Sequence, residues 1–130
     1  MFKFATNSTI PLKGKTTWGD AQGWESAFDN EFTTVYNSTN AACSVGIEIG
    51  ANIGVQLTRI RYFPNPTWKI AADYIKGAVI EVSNDNTTWT KLGSADQSVH
   101  SGWNSIMVTD PKVYQYVRFS HTSKSSCSIR

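Results

Sequence analysis

Five tryptophans, Trp18, Trp24, Trp68, Trp89 and Trp103, have the most to offer a ligand in this 130-residue chain. A pyranose stacks its apolar C–H face on an indole, and a few polar side chains then fix its hydroxyls. Loops are where such residues concentrate, because a loop tip can present a side chain that a packed strand must bury. Two tryptophans lie in segments of loop composition: Trp68 in Pro64-Asn65-Pro66-Thr67-Trp68-Lys69 and Trp18 in Thr16-Thr17-Trp18-Gly19-Asp20. Either could instead be a hydrophobic plug. Arg61, Asn65, His100 and Asn104 are the polar partners available from segments 62–74 and 95–104. His100 has a structural alternative, a hydrogen bond to a neighbouring loop. Trp89 is expected in the core, Trp103 in the core or capping the sandwich, and Trp24 beneath the Ala27-Phe28-Asp29-Asn30 segment.

A second chemistry is metal binding. Calcium takes six to eight hard oxygens, and the acidic loop Asp29–Thr34 can offer Asp29, Glu31, Thr34 and backbone carbonyls. The competing reading is a plain Asx-turn in which Asp29 hydrogen-bonds the backbone. Catalysis has little support. The histidines are His100 and His121, the carboxylates are scattered, and neither a GxSxG nor an HExxH motif occurs. The chain is therefore expected not to be an enzyme. Cys43 and Cys127 show no zinc-type spacing; they form either a long-range disulfide or two buried thiols. The sequons at Asn7, Asn37 and Asn86 are candidate glycosylation sites. Together these features suit an extracellular or cell-surface protein.

The elements that must hold these residues read as strands. In Val45–Ile49 the apolar residues recur at every second position, the period of a strand with one buried face. Val55–Phe63 is rich in β-branched and aromatic residues and ends at Pro64. Ala78–Ser83 sets Ala78, Ile80 and Val82 on one face; Asn84-Asp85-Asn86 is a turn, and Trp89–Leu92 returns as a hairpin. Ile106–Val108 and Tyr114–Phe119 follow, whereas helical signal is confined to short turns near Trp24–Phe28 and Ile70–Tyr74. Short strands punctuated by turns predict an all-β antiparallel sandwich. With 40% hydrophobic and 17% charged residues, the chain is neither disordered nor a coiled coil. A net charge of +2 excludes nucleic-acid binding driven by overall basicity. No apolar stretch reaches the roughly 18 residues of a membrane helix.

The order of these segments resembles the discoidin, or coagulation factor V/VIII type C, domain. Ala27-Phe28-Asp29-Asn30-Glu31-Phe32-Thr33-Thr34-Val35-Tyr36 is similar to its A-F-D-G-D-x-x-T-x-W segment, and Val45–Gly50 to its hydrophobic-D-L-G strand. Leu57–Tyr62 matches the strand that follows. Ile80–Trp89 resembles the E-x-S-x-D-G-x-x-W hairpin, Tyr116–Phe119 the R-Y-V-R-I strand, and Cys127-Ser128-Ile129 the beginning of the closing strand. Asn30 and Asn86 replace turn glycines and would have to adopt left-handed backbone.

The resemblance implies a galactose-binding-like jelly roll spanning residues 1–130 as a single domain, a fragment of a larger extracellular protein with its closing C-terminal strand missing. It also implies a structural calcium held by the Ala27 and Thr34 carbonyls and the Asp29 carboxylate. The expected activity is non-catalytic carbohydrate binding in cell-surface adhesion, with a glycan or glycoprotein as partner. The alternative is a structural domain that joins neighbouring domains or subunits through an open sheet edge. A membrane partner is not expected, because no Lys/Arg cluster accompanies the loop tryptophans.

Overall fold

The computed structural model describes residues 2–5, 16–39, 42–49, 55–64, 75–95, 99–100, 102–108, 112–121 and 127–129. Twelve strands occur among them: β1 (Phe2–Ala5), β2 (Thr17–Gly19), β3 (Tyr36–Ser38), β4 (Cys43–Glu48), β5 (Val55–Gln56), β6 (Arg59–Tyr62), β7 (Val79–Ser83), β8 (Thr90–Ser94), β9 (Asn104–Met107), β10 (Val113–Tyr114), β11 (Tyr116–His121) and β12 (Cys127–Ile129). They form a five-stranded sheet in the order β2-β4-β11-β7-β8, a three-stranded sheet β1-β6-β9, and the pairs β10-β5 and β12-β3. Every one of these pairings is antiparallel. The fold is an antiparallel β-sandwich.

Period-two alternation decides which face of each strand is buried. On β11, Val117, Phe119 and His121 are buried while Tyr116, Arg118 and Ser120 are half-buried. The register sets Val117 between Ile47 and Val82, and Phe119 between Val45 and Ile80. These six residues belong to one core cluster that also takes in Leu57, Ile60 and Tyr62. On β6 the same alternation buries Ile60 and Tyr62 and turns Arg59 and Arg61 outward. Fully burying one such side chain contributes on the order of 1.5–3 kcal/mol.

Several expectations change in detail. Val55–Phe63 is two strands: Leu57 and Thr58 interrupt it, so that β5 pairs with β10 while β6 pairs with β1 and β9. Tyr114–Phe119 likewise divides at Gln115. The predicted hairpin forms between β7 and β8, with an irregularity at Ile80/Glu81. Its turn is closed by Asp85, whose Oδ1 accepts from the backbone N–H groups of Thr87 (2.8 Å) and Thr88 (2.7 Å) and from the Ser83 hydroxyl (2.9 Å). These donors favour the charged form and hold the Asp85 carboxyl at about 2, below its ordinary 3.8. Asn30 (φ 65°) and Asn86 (φ 57°) adopt left-handed backbone, as glycine substitutes must. The helical turn is a 3-10 segment at Trp24–Ala27; Ile70–Tyr74 lies outside the described residues. Cys127–Ile129 is strand β12, paired with β3.

A partly buried polar hub ties β2, β3 and β4 together. Asp20 accepts hydrogen bonds from the Tyr36 hydroxyl, the Ser38 hydroxyl (2.5 Å) and the Ser44 backbone N–H (2.9 Å). Burial first, and the bond to Asp20 second, push the Tyr36 phenol above its ordinary value, so the ring stays protonated. His121 is buried and its Nε2 lies 3.0 Å from the Lys76 carbonyl, a structural role.

Candidate functional site

The outer face of the β1-β6-β9 sheet gathers aromatic and cationic residues. Arg59 and Arg61 alternate outward from β6, and the register sets Arg61 opposite Ser105 and Arg59 opposite Met107. Beyond Arg61, Phe63 follows the last residue of β6 and meets Trp103, which precedes β9. Their ring centroids are 5.4 Å apart at 86°. Phe32, from the Asp29–Thr34 loop, completes an edge-to-face trio: 5.3 Å from Phe63 and 6.2 Å from Trp103. Phe32 remains 48% exposed, a large apolar surface left to solvent. The Arg61 guanidinium lies 4.4 Å from the Trp103 ring centroid. Stacked on an indole, a guanidinium keeps the N–H donors at its rim free for another partner.

Trp103 also borders a surface depression of about 440 Å³ lined by Tyr62, Ser94, His100, Asn104, Ser105 and Ile106. It lies where β8 and β9, the edges of the two larger sheets, approach each other. The loop above it is shaped by Asn104. The Asn104 amide donates to the carbonyls of His100 (2.8 Å) and Gly102 (3.0 Å), and its Oδ1 accepts the His100 backbone N–H (3.0 Å). Gly102, at φ 89°, supplies the left-handed turn. Asn104 is therefore largely spent on positioning the loop, while His100 stays exposed at the rim.

The Asp29–Thr34 loop adjoins the same cluster through Phe32. Asp29 Oδ1 accepts the Glu31 N–H (2.8 Å), and Oδ2 accepts the Thr34 hydroxyl (2.6 Å). This is Asx-turn geometry, closed by its own hydrogen bonds. The donors are all hard oxygens, and each Asp29 oxygen keeps a lone pair beyond its hydrogen bond, so the set suits calcium by kind. Among the described residues no group of three or more His, Cys, Asp or Glu could hold a metal ion.

The remaining candidates separate. Trp18 is on strand β2 rather than a loop, at the opposite sheet. A Cβ placed on Gly46 would lie 2.3 and 2.4 Å from the Trp18 Cζ2 and Cε2 atoms and 2.9 Å from Nε1. Those distances fit an indole lying face-down on β4. Trp89, expected in the core, is half-buried beside it: its ring is 6.2 Å from Trp18, and the Arg118 guanidinium lies 4.2 Å from its centroid. Trp103 likewise is half-buried at the surface rather than in the core. Trp24 is half-buried against Gly19. Trp68 and Asn65 lie outside the described residues, as does Asn7. Asn37 and Asn86 are exposed. Cys43 is buried, and no described cysteine is free.

Sequence reasoning brought Arg61, His100 and Asn104 forward but missed Phe32, Phe63 and the outward role of Trp103. One signal was available: Arg61 and Phe63 are two residues apart in the expected strand Val55–Phe63, a spacing that sets them on one face.

No helix among the described residues is long and apolar enough to cross a membrane. A search of curated protein sequences gives no match. Among solved structures, the chain is similar to the Clostridium perfringens module CpGH89CBM32-5, solved in complex with GalNAc-β-1,3-galactose. The TM-score is 0.77 at 14% identity, over 94% of this chain and 95% of that one. It is similar to the family 32 carbohydrate-binding module of C. perfringens NanJ, solved with galactose, at TM-score 0.74 and 14% identity over 99% and 95% of the two chains. It is also similar to chitosan-binding module 1 of a Paenibacillus sp. IK-5 chitosanase/glucanase, at TM-score 0.73 and 21% identity over 94% and 95%. At these identities the likeness concerns the fold. The F5/8 type C domain model matches residues 7–130. The chain therefore belongs to the F5/8 type C domain family.

Proposed function

We propose that this domain is a non-catalytic carbohydrate-binding module whose ligand seats against Trp103. The observation that carries the reading is the convergence at one place of an aromatic trio, a stacked arginine and a depression rimmed by His100, Ser94 and Ser105. Aromatic surface takes the apolar face of a sugar, and the hydroxyl, imidazole and guanidinium groups take its hydroxyls. Sugar-binding modules of the same fold support it. The Phe32 ring joins the site to the Asp29 loop. A calcium ion held by the Asp29 carboxylate with the Ala27 and Thr34 carbonyls, Glu31 adding charge, would stiffen the loop that carries Phe32.

The wider reading places the domain outside the cell or at its surface, in adhesion, as one unit of a larger protein. A Cys43–Cys127 bridge would then join β4 to β12, and Asn37 and Asn86 would be open to glycosylation. A glycan array probed with the folded domain, with calcium and again with chelator, tests the proposal. A selective hit supports it, and weakening under chelator ties the Asp29 loop to the site. A blank array from demonstrably folded protein removes it.

A further inference from the structure

The two outer faces of the sandwich treat their charges differently. On the five-stranded sheet, Arg118 is neutralised: its Nε donates to Glu81 at 2.6 Å while its guanidinium stacks on Trp89. On the three-stranded sheet, Arg59 and Arg61 follow each other on the outward side of β6, about 7 Å apart by strand geometry. Among the described residues neither arginine meets a carboxylate. Their cross-strand neighbours on β9 are the neutral Met107 and Ser105. Asp29 and Glu31 lie in the loop that carries Phe32, where the Asp29 carboxylate accepts the Glu31 N–H and the Thr34 hydroxyl. A net charge of only +2 thus conceals a local cationic stripe beginning at the Trp103 ring.

We infer that the glycan taken by this face is anionic, bearing uronate carboxylates or sulfate esters. The inference rests on the carbohydrate-binding reading and names its substrate class. One sugar ring meets the exposed Phe32–Trp103 end, and the acidic groups of the same or the next residue meet Arg61 and then Arg59. The planar fork of a guanidinium matches a carboxylate or sulfate with two parallel hydrogen bonds. Stacking on Trp103 pre-orients the Arg61 fork, so less side-chain freedom is lost when the anion arrives. Specificity follows from charge: a neutral polymer of the same shape would leave the stripe without a counter-charge.

The test is affinity electrophoresis in paired polymers that differ in charge: polygalacturonate beside its methyl ester, and a sulfated galactan beside its desulfated form. The two pairs separate carboxylate from sulfate as the recognised group. Retention by the charged member of either pair is expected, falling as salt is raised. Arg61→Gln should weaken it by about tenfold or more, the scale of one charged hydrogen-bonded contact. Arg59→Gln, at an exposed position, should weaken it less and serves if Arg61→Gln misfolds. Lys91→Gln, which removes the same charge from exposed β8 of the other sheet, should leave it unchanged. Equal retention by charged and neutral members, indifferent to both arginines, overturns the inference and leaves carbohydrate binding standing. Passage of folded protein through all four polymers also overturns it. A glycan-array hit on neutral sugars then confines the failure to this inference, and a blank array extends it to the module reading.

Discussion

Gly46→Ala probes the outer packing of the five-stranded sheet with one methyl group. The added Cβ would sit 2.3–2.4 Å from two ring atoms of Trp18, where ordinary contact starts near 3.4 Å. The indole must lift from β4 by about 1 Å, against neighbours Trp89 and Tyr116, whose ring centroids are each 6.2 Å away. Overpacking of this kind costs about 1–3 kcal/mol. Replacing a strand glycine by alanine returns roughly 0.5–1 kcal/mol through reduced unfolded-state entropy. A net loss of about 1–2 kcal/mol follows, or on the order of 3–8 °C in Tm for a chain of this size. The informative experiment is a double-mutant cycle by urea denaturation followed by circular dichroism. A Trp18→Ala background removes the three atoms nearest the added methyl, so Gly46→Ala should become neutral or slightly stabilising. The coupling between the two sites should reach at least about 1 kcal/mol. An identical cost in both backgrounds would refute the face-down placement of Trp18 and the β2–β4 register behind it.

Three further outcomes follow from named contacts. Asp20→Ala removes the acceptor shared by the Tyr36 and Ser38 hydroxyls and the Ser44 N–H and should cost about 2–4 kcal/mol in urea denaturation; Tyr36→Phe should cost only about 1 kcal/mol, since Asp20 keeps its other donors. The Asp85 carboxyl is held at about 2 in the folded hairpin against 3.8 unfolded, so the unfolded state binds the proton first as pH falls. Its contribution is complete above pH 3.8, declines below that and is gone below about 2; an acid titration in which Asp85→Asn removes none of the pH dependence over this window would contradict that. Asp29→Ala opens the loop that presents Phe32 and should weaken glycan binding several-fold with about 1 kcal/mol lost in stability; unchanged affinity in the folded variant would uncouple the loop from the site.

What was legible in the sequence was whatever depends on local period and turn chemistry. Alternation at Val45, Ile47 and Ile49 identified a half-buried strand, and these residues are 0–1% exposed. Asn30 and Asn86 in the place of turn glycines implied left-handed backbone, because few other side chains tolerate it. The side of the sandwich on which each tryptophan lies was not legible, since it depends on pairings between distant segments. Trp18 has the flanks of a loop residue, yet Gly46 on β4, 28 positions along the chain, provides the flat bed that draws it into a strand. Trp103 resembled a core residue in isolation. It becomes a surface residue only when β9 pairs with β6 and carries it to Phe63 and Arg61.

Trp103→Ala measures the central claim most directly. Glycan binding by the folded variant should fall at least about tenfold, while Trp18→Ala, which alters an indole on the opposite sheet, should leave it intact. The comparison is made by calorimetry on the glycan that the array selects, with folding of each variant checked by circular dichroism. Undiminished binding by Trp103→Ala, or loss confined to Trp18→Ala, would contradict the placement of the ligand on the β1-β6-β9 face.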